Sequence, residues 1–375
     1  MTADPAQLRR ALAASIPVEG PAWRDALAAV PRERFLDDAV FRPSDGQWEA
    51  MHRRTVGDEE WLRFVYQDIT WVTQVEGMAA ADASGPLVGR PTSSGTLPSL
   101  IVRMLDLAHL QEGDKVLEIG TGTGYSTAIL CHRLGDRNVY SIEYDPRLAA
   151  AAAGHLHAAG FFPTLVTGDG LAGHKDAADY DAIVATCAVR HIPPAWLYQV
   201  RDGGTITTTV SGWMLASGLI RLTVHDDGTA TGRFAGDQIG YMLARPHERP
   251  PRPTYYQRPG RTRAACLDPG LLDDWTGQFI AQLAAPSAEL MTTGDGVILV
   301  DVATGSQAWT ERAGKGWQVH QHGPLRLWDA VEEALTTWQD AGAPPQSDFG
   351  MTVEADGTQR VWLGQPEGPA WHLPV

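Results

Sequence analysis

A short apolar run, Val116-Leu117-Glu118-Ile119, leads into Gly120-Thr121-Gly122-Thr123-Gly124 and then into Tyr125, which opens a helical pattern. Glycines at alternate positions let the chain turn sharply between strand and helix, and let a ligand approach backbone where a Cβ would clash. The next apolar run ends in Ser141-Ile142-Glu143-Tyr144-Asp145, placing the acid Glu143 nineteen residues after Gly124. An acid at that strand end can accept hydrogens from both hydroxyls of a ribose. Pyrophosphate-binding turns usually read GxGxxG, whereas this one reads GxGxG with Glu118 beside it, which suits a cationic ligand better than a phosphate. The implied ligand is S-adenosylmethionine, converted to S-adenosylhomocysteine, with no metal. Its expected contacts are Glu118, Gly120, Thr121, Gly122, Gly124 and Tyr125, then Glu143 and Tyr144. Gly168-Asp169-Gly170 follows the third strand, so Asp169 either accepts from an adenine amino group, with Gly170 beside it, or forms a polar turn.

These residues need a scaffold that alternates strands with helices, and the surrounding sequence has that form. Apolar runs over 115–119, 139–143, 164–167 and 181–185 alternate with helical patterns over 125–134 and 146–159. Such alternation predicts a doubly wound, mostly parallel sheet, an α/β Rossmann-like fold, with Thr186 and Cys187 at the carboxyl end of its central strand. Leu8, Leu12 and Ile16 predict one helix ahead of it, and the stretch from Trp23 to Val30 predicts a second before Pro31. From Asp82 to Pro98 the composition turns to Gly, Pro, Ser and Thr, which predicts a loop, and a helix pattern begins at Leu100.

The proline-rich run 245–253 can continue neither a central strand nor a helix, so it is read as a linker. Beyond it, helices over 271–283 and 327–338, a strand over 297–302 and a hairpin around Asp356-Gly357 predict a small α+β domain. The expected organisation is an N-terminal helical segment and loop over 1–90, a catalytic domain over 91–245 and the α+β domain over 246–375.

The 375 residues carry 30 Lys and Arg against 45 Asp and Glu, a net charge of −15, which disfavours a nucleic-acid partner because that binding rests on phosphate neutralisation. Cys131, Cys187 and Cys266 show no paired spacing and read as reduced thiols. No apolar run is long enough to span a membrane and no signal-like segment stands out, so a soluble cytoplasmic protein is expected. Within 247–263, Arg249, Arg252, Arg258, Arg261 and Arg263 face one acid, Glu248. They either dock an acidic peptide or form a solvated, charge-balancing linker.

Ala29-Val30-Pro31-Arg32-Glu33-Arg34-Phe35-Leu36 resembles the N-terminal "VPRERF" element of protein-L-isoaspartate O-methyltransferases. Leu117 to Tyr125 resembles the cofactor motif of that family, and Gly168-Asp169-Gly170 and Tyr180-Asp181-Ala182-Ile183 match two more of its stations. The resemblance covers about residues 22 to 245 and implies a class I S-adenosylmethionine-dependent carboxyl O-methyltransferase. The family's active-site Ser-x-Pro corresponds to Thr96-Leu97-Pro98, preceded by Ser93 and Ser94, so the resemblance makes Thr96, Ser93 or Ser94 the hydroxyl that orients a substrate carboxylate.

The stretches 90–100 and 192–197, with the C-terminal addition, look most like the branch that accompanies ATP-grasp enzymes in maturing graspetides, ribosomally made crosslinked peptides. That resemblance implies methylation of an aspartate side chain of an acidic, crosslinked peptide, the ester then closing to an aspartimide. The alternatives are repair of isoaspartate in damaged proteins and a lanthipeptide-type maturation methyltransferase. Arg258, Arg261 and Arg263 are the residues expected to bind substrate. His191 either joins them as a pocket residue or is a solvent-exposed or hydrogen-bonded loop histidine.

Overall fold

Asp4 caps the first helix by accepting from the backbone N–H of Ala6, and Pro5 takes the first turn, where its missing N–H costs nothing. The computed structural model describes residues 4–18, 20–236, 238–251, 255–294 and 296–374. Arg252, one of the arginines of the 247–263 segment, lies outside the described residues. The chain divides into two units, Met1–Thr186 with Tyr198–Thr207, and Cys187–Leu197 with Thr208–Val375. The expected 246–375 domain falls inside the second unit, which also takes in 208–245.

The first unit opens with α1 (Pro5–Ser15) and α2 (Pro21–Ala29), which bury Leu12, Trp23 and Leu27. Strands then appear where the sequence reading had only helices and a loop. β1 (Ala39–Ser44) and β2 (Gln47–His52) form a hairpin around Asp45-Gly46, whose φ values are both positive, 47° and 77°. After α3 (Arg53–Val56) and α4 (Asp58–Val65), a second hairpin joins β3 (Trp71–Val75) to β4 (Met78–Ala79) through Glu76-Gly77, at 46° and 77°. Positive φ at both central residues belongs to the type I′ turn, whose twist matches that of its strands. The Gly/Ser/Thr stretch expected to be a loop contains β5 (Pro91–Gly95), antiparallel to β3 with Val72 opposite Ser94 and Gln74 opposite Ser93. The ladder that β3 offers outweighs the weak strand preference of those residues, and register shifts on either side of Gln74 absorb the misfit.

The alternating elements follow as α5 (Pro98–Leu107), β6 (Val116–Ile119), α6 (Tyr125–Leu134), β7 (Val139–Glu143), α7 (Pro146–Ala159), β8 (Thr164–Thr167) and β9 (Tyr180–Val189). Their strands are parallel in the order β8-β7-β6-β9. All four residues of β6 are buried, as a parallel strand covered on both faces requires. This is the predicted doubly wound fold.

Chain-wise, the next elements are α8 (Pro194–Leu197), β10 (Val200–Val210), β11 (Gly218–Val224), β12 (Ala230–Phe234), β13 (Arg261–Ala264), α9 (Trp275–Ala284), β14 (Ala288–Thr293), β15 (Gly296–Asp301), β16 (Gln307–Ala313), β17 (Gly316–His322), α10 (Leu327–Asp340), β18 (Phe349–Val353), β19 (Gln359–Leu363) and β20 (Ala370–His372). Within the second unit, β11, β12, β18, β19 and β20 pair antiparallel in that order, and a separate antiparallel sheet runs β13-β17-β16-β15-β14. The predicted face of α10, Leu327, Val331, Leu335 and Trp338, is buried. The predicted 271–283 helix starts later, at Trp275, because Asp274 caps it by accepting from the N–H of Gly277. The hairpin at Asp356-Gly357 joins β18 to β19 as expected.

Candidate active site

The turn after β6 is shaped by backbone that only glycine adopts easily. Gly120 sits at φ +98°, and a Cβ there would lie 2.9 Å from the Thr186 hydroxyl oxygen. Gly122, at φ +56°, has open space around it except for the carbonyl oxygen of Ser94 on β5, 3.9 Å from an added Cβ. Thr186, on β9, bonds the turn through its hydroxyl, which reaches the carbonyls of Ile119 at 3.1 Å and Gly120 at 2.6 Å.

Glu143 ends β7, nearly buried, and each carboxylate oxygen takes one backbone donor. Gly122 N–H donates to Oε2 at 2.8 Å and Asp145 N–H to Oε1 at 3.0 Å. A carboxylate oxygen has a second acceptor position, so two hydroxyls can still be received. The acid and the glycine turn, read separately from the sequence, are thus one bonded object.

Glu118 is fully buried. Thr127 and Ser141 donate their hydroxyls to its Oε2, the latter at 2.7 Å, and Ser141 is in turn 2.6 Å from the hydroxyl of Thr121. Oε1 finds no partner among the described residues. Burial pushes the carboxyl pKa upward, against the hydroxyls that donate to Oε2. An unpaired buried oxygen costs about 1–3 kcal/mol, which a cationic ligand there would recover.

On the β5 side, Ser93 is buried and its Oγ accepts from the Thr73 hydroxyl at 3.0 Å. The hydroxyls of Ser94 and Thr96 form no hydrogen bond among the described residues, and both residues are half-buried. The backbone at Gly95 and Thr96 is held by Arg32, whose guanidinium is buried and donates to the carbonyls of Val65 and Gln67 at 2.7 Å, Ile69 at 2.8 Å, and Gly95 and Thr96 at 3.2 Å. Burial lowers its pKa to about 10. Gln74, also buried, accepts from Thr92 and donates to Asp145, the N-cap of α7. The sequence reading assigned neither Arg32 nor Gln74 a role. Arg32 stands within the "VPRERF" element, whereas Gln74 lies in no motif.

Tyr125 is a core residue, its ring 5.7 Å from that of Phe35 and 5.8 Å from the Arg32 guanidinium carbon, with its phenol pushed up to about 12 by burial. Tyr144 is half-exposed. Asp169 is exposed and accepts from the N–H of Leu171 at 2.9 Å, while an added Cβ on Gly170 would meet Ile119 Cγ2 at 2.4 Å. In the second unit, the ring of His191 lies 4.6 Å from that of His247, and burial holds both pKa values below the usual range. Arg258 and Arg261 are exposed, whereas Arg263 is engaged by Asp329 and by Glu332, the latter at 2.7 Å. Among the described residues there is no cluster of three metal-capable side chains, and no helix is long and apolar enough to cross a membrane.

Residues 47–230 match the family model of Protein-L-isoaspartate(D-aspartate) O-methyltransferase. A Protein-L-isoaspartate O-methyltransferase of Ignicoccus hospitalis is 38% identical over 139 residues, 36% of this chain and 65% of that relative, so the chain spans less than two thirds of it. A Protein-L-isoaspartate O-methyltransferase 2 of Syntrophobacter fumaroxidans is 36% identical over 168 residues, 43% of this chain and 67% of its own length. A solved structure titled protein-L-isoaspartate O-methyltransferase superposes with a TM-score of 0.53 at 19% identity, covering 96% of this chain and all of that one. That likeness speaks for the fold alone, and it takes in the C-terminal addition. With the glycine turn, its bonded acid and the parallel sheet order in place, the chain belongs to the protein-L-isoaspartate O-methyltransferase family, with the class I methyltransferase fold.

Proposed function

We propose that the chain transfers a methyl group from S-adenosylmethionine to the carboxylate of an aspartate-derived residue in a peptide. The observation that carries this reading is the pair of acids around the glycine turn. Glu143, fixed by Gly122 and Asp145, keeps acceptor positions for a ribose, and Glu118 holds an unpaired buried oxygen suited to a cation. When bound, S-adenosylmethionine supplies an electrophilic methyl on a sulfonium.

The nucleophile needs no general base, because an aspartate carboxyl, with a pKa of about 3.9, is ionised at neutral pH. Its oxygen forms the new C–O bond as the S–C bond breaks, and the electron pair goes to sulfur to leave a neutral thioether. The chain's task is then positioning. Thr96 or Ser94 donates its unengaged hydroxyl to the carboxylate, while the buried Arg32 fixes the backbone that carries Thr96.

For the substrate, the finer reading is an aspartate of an acidic, crosslinked, ribosomally made peptide, the ester closing to an aspartimide as the next amide nitrogen displaces methanol. The resemblance of 90–100 and 192–197 to the graspetide-associated branch supports it, and the exposed Arg258 and Arg261 suit an acidic partner. The family match favours isoaspartate repair as the second reading. The C-terminal addition does not separate them, since a solved structure titled as the isoaspartate enzyme aligns across nearly the whole chain. Full-length protein incubated with methyl-labelled cofactor and an isoaspartyl peptide, a linear acidic peptide or its crosslinked form tests all of this. Preference for the crosslinked peptide is expected. Preference for the isoaspartyl peptide selects repair, and no labelling of any peptide removes the methyltransferase reading.

A further inference from the structure

We propose that His155 is a positioning residue for the cofactor turn, its doubly protonated ring tying the backbone of Thr123 to the carboxylate of Asp37. This rests on the cofactor reading above. His155 lies on α7, with Nδ1 3.1 Å from the Thr123 carbonyl oxygen and Nε2 3.1 Å from Asp37 Oδ1. Both partners only accept. A neutral imidazole has one N–H and one lone pair, so it can satisfy one of them and must set its lone pair against the other; the imidazolium satisfies both.

The anchored carbonyl is one the helix does not use. Thr123 precedes Gly124, the N-cap of α6, and the first carbonyl of that helix to accept is that of Gly124, from Ala128 N–H. The turn is therefore gripped on consecutive residues, with Gly122 N–H on Glu143 and Thr123 C=O on His155. α7 also packs against the turn, since a Cβ on Gly124 would sit 3.3 Å from Cγ of Leu156.

The charges that could set the state of His155 come from few places. On the 32–34 turn packed against α7, Arg32 is bonded to backbone carbonyls, Glu33 to the Tyr66 hydroxyl and Arg34 to the carbonyl of Ala158. Glu143, at the end of β7, is occupied by Gly122 and Asp145, and on α7 itself Arg147 lies more than two turns and His157 about half a turn away in sequence. Asp37 is the ionised group recorded on the ring. Its bond is the main cause raising the His155 pKa, burial opposing it, and the same bond is the main cause lowering that of Asp37. A raised histidine pKa means that the grip is complete below the ordinary value of about 6.5 and is lost as pH rises through the raised one.

The test measures S-adenosylhomocysteine affinity of the full-length protein by calorimetry at about pH 6 and about pH 9, in the wild type, His155→Gln and Asp37→Asn. Titration of the ligand's own amino group is common to all three and cancels in the comparison. The wild type should weaken across this range by about two- to tenfold more than His155→Gln, the worth of one net hydrogen bond. Asp37→Asn should shift that extra loss to lower pH. A proton NMR titration gives a readout independent of activity. The ring signal missing from His155→Gln should titrate above the ordinary range, and higher still with ligand bound, because coupling between the two sites is reciprocal. Equal pH responses in wild type and His155→Gln, or a His155 that titrates at or below the ordinary value, would overturn the proposal. A wild type that binds no ligand at either pH overturns the cofactor reading together with it.

Discussion

The two sides of the glycine turn are rigid by different means. On the β6–β7 side, side chains are bonded to one another and to the turn itself, through Glu118, Thr121, Thr127, Ser141 and Glu143. On the β5 side the backbone is fixed, by the β3 ladder and by the five carbonyls gathered on Arg32, while among the described residues the hydroxyls of Ser94 and Thr96 are left unbonded. A site that must hold a constant ligand can commit its side chains in advance. A site that must hydrogen-bond an incoming carboxylate has to keep its donors uncommitted and take its rigidity from the main chain.

That contrast is open to direct attack. The largest effect should come from Arg32→Met, which abandons five carbonyls, those of Val65 and Gly95 buried and the others partly so, and should lower unfolding free energy by roughly 3–5 kcal/mol in urea titrations. A loss under about 1 kcal/mol would mean that β5 is rigid without its clamp. Next is Glu143→Ala, which removes both the proposed ribose acceptor and the anchor of Gly122. S-adenosylhomocysteine affinity should drop at least about tenfold, since hydrogen bonds to a charged group contribute about 1.5–3 kcal/mol each, and unchanged calorimetric affinity would break the β7 side of the comparison.

Thr96→Val keeps shape and removes the hydroxyl. Methyl transfer to the peptide should slow by about tenfold while ligand affinity holds, and wild-type turnover would move the role to Ser94. Ser93 is the weaker alternative, because it is buried and its oxygen already accepts from Thr73. The smallest effect belongs to Arg258→Ser with Arg261→Ser. Exposed charges contribute little, so KM for an acidic peptide should rise only about two- to fivefold at low salt and the difference should vanish at high salt. Arg263 is left intact in this variant because Asp329 and Glu332 hold it.

The same contrast decided what could be read from the sequence. The boundaries of α6, β7, α7 and β8 coincide with the apolar periodicity to the residue, because each is fixed locally, as where Asp145 caps α7 and Pro146 fills its first turn. Glu143 and the glycines were legible for the same reason. β5 was not, since Pro91-Thr92-Ser93-Ser94-Gly95 has no apolar alternation and becomes a strand only through β3. The β1–β2 hairpin did leave a signal in Asp45-Gly46, as did the hairpin at Asp356-Gly357. The role of Arg32 could not be seen, because its partners are main-chain carbonyls 33 to 64 residues away, and every residue type has one.

The bond between Gly122 N–H and Glu143 also predicts how the turn breathes. An amide in a surface turn ordinarily exchanges its hydrogen with water quickly, yet those of Gly122 and Asp145 are tied to a carboxylate that is itself nearly buried at a strand end. Neither can exchange until that strand end loosens, so both should exchange at one shared rate, set by a cooperative local opening. The turn would then have no loose state of its own, and ligand escape would be timed by the same opening.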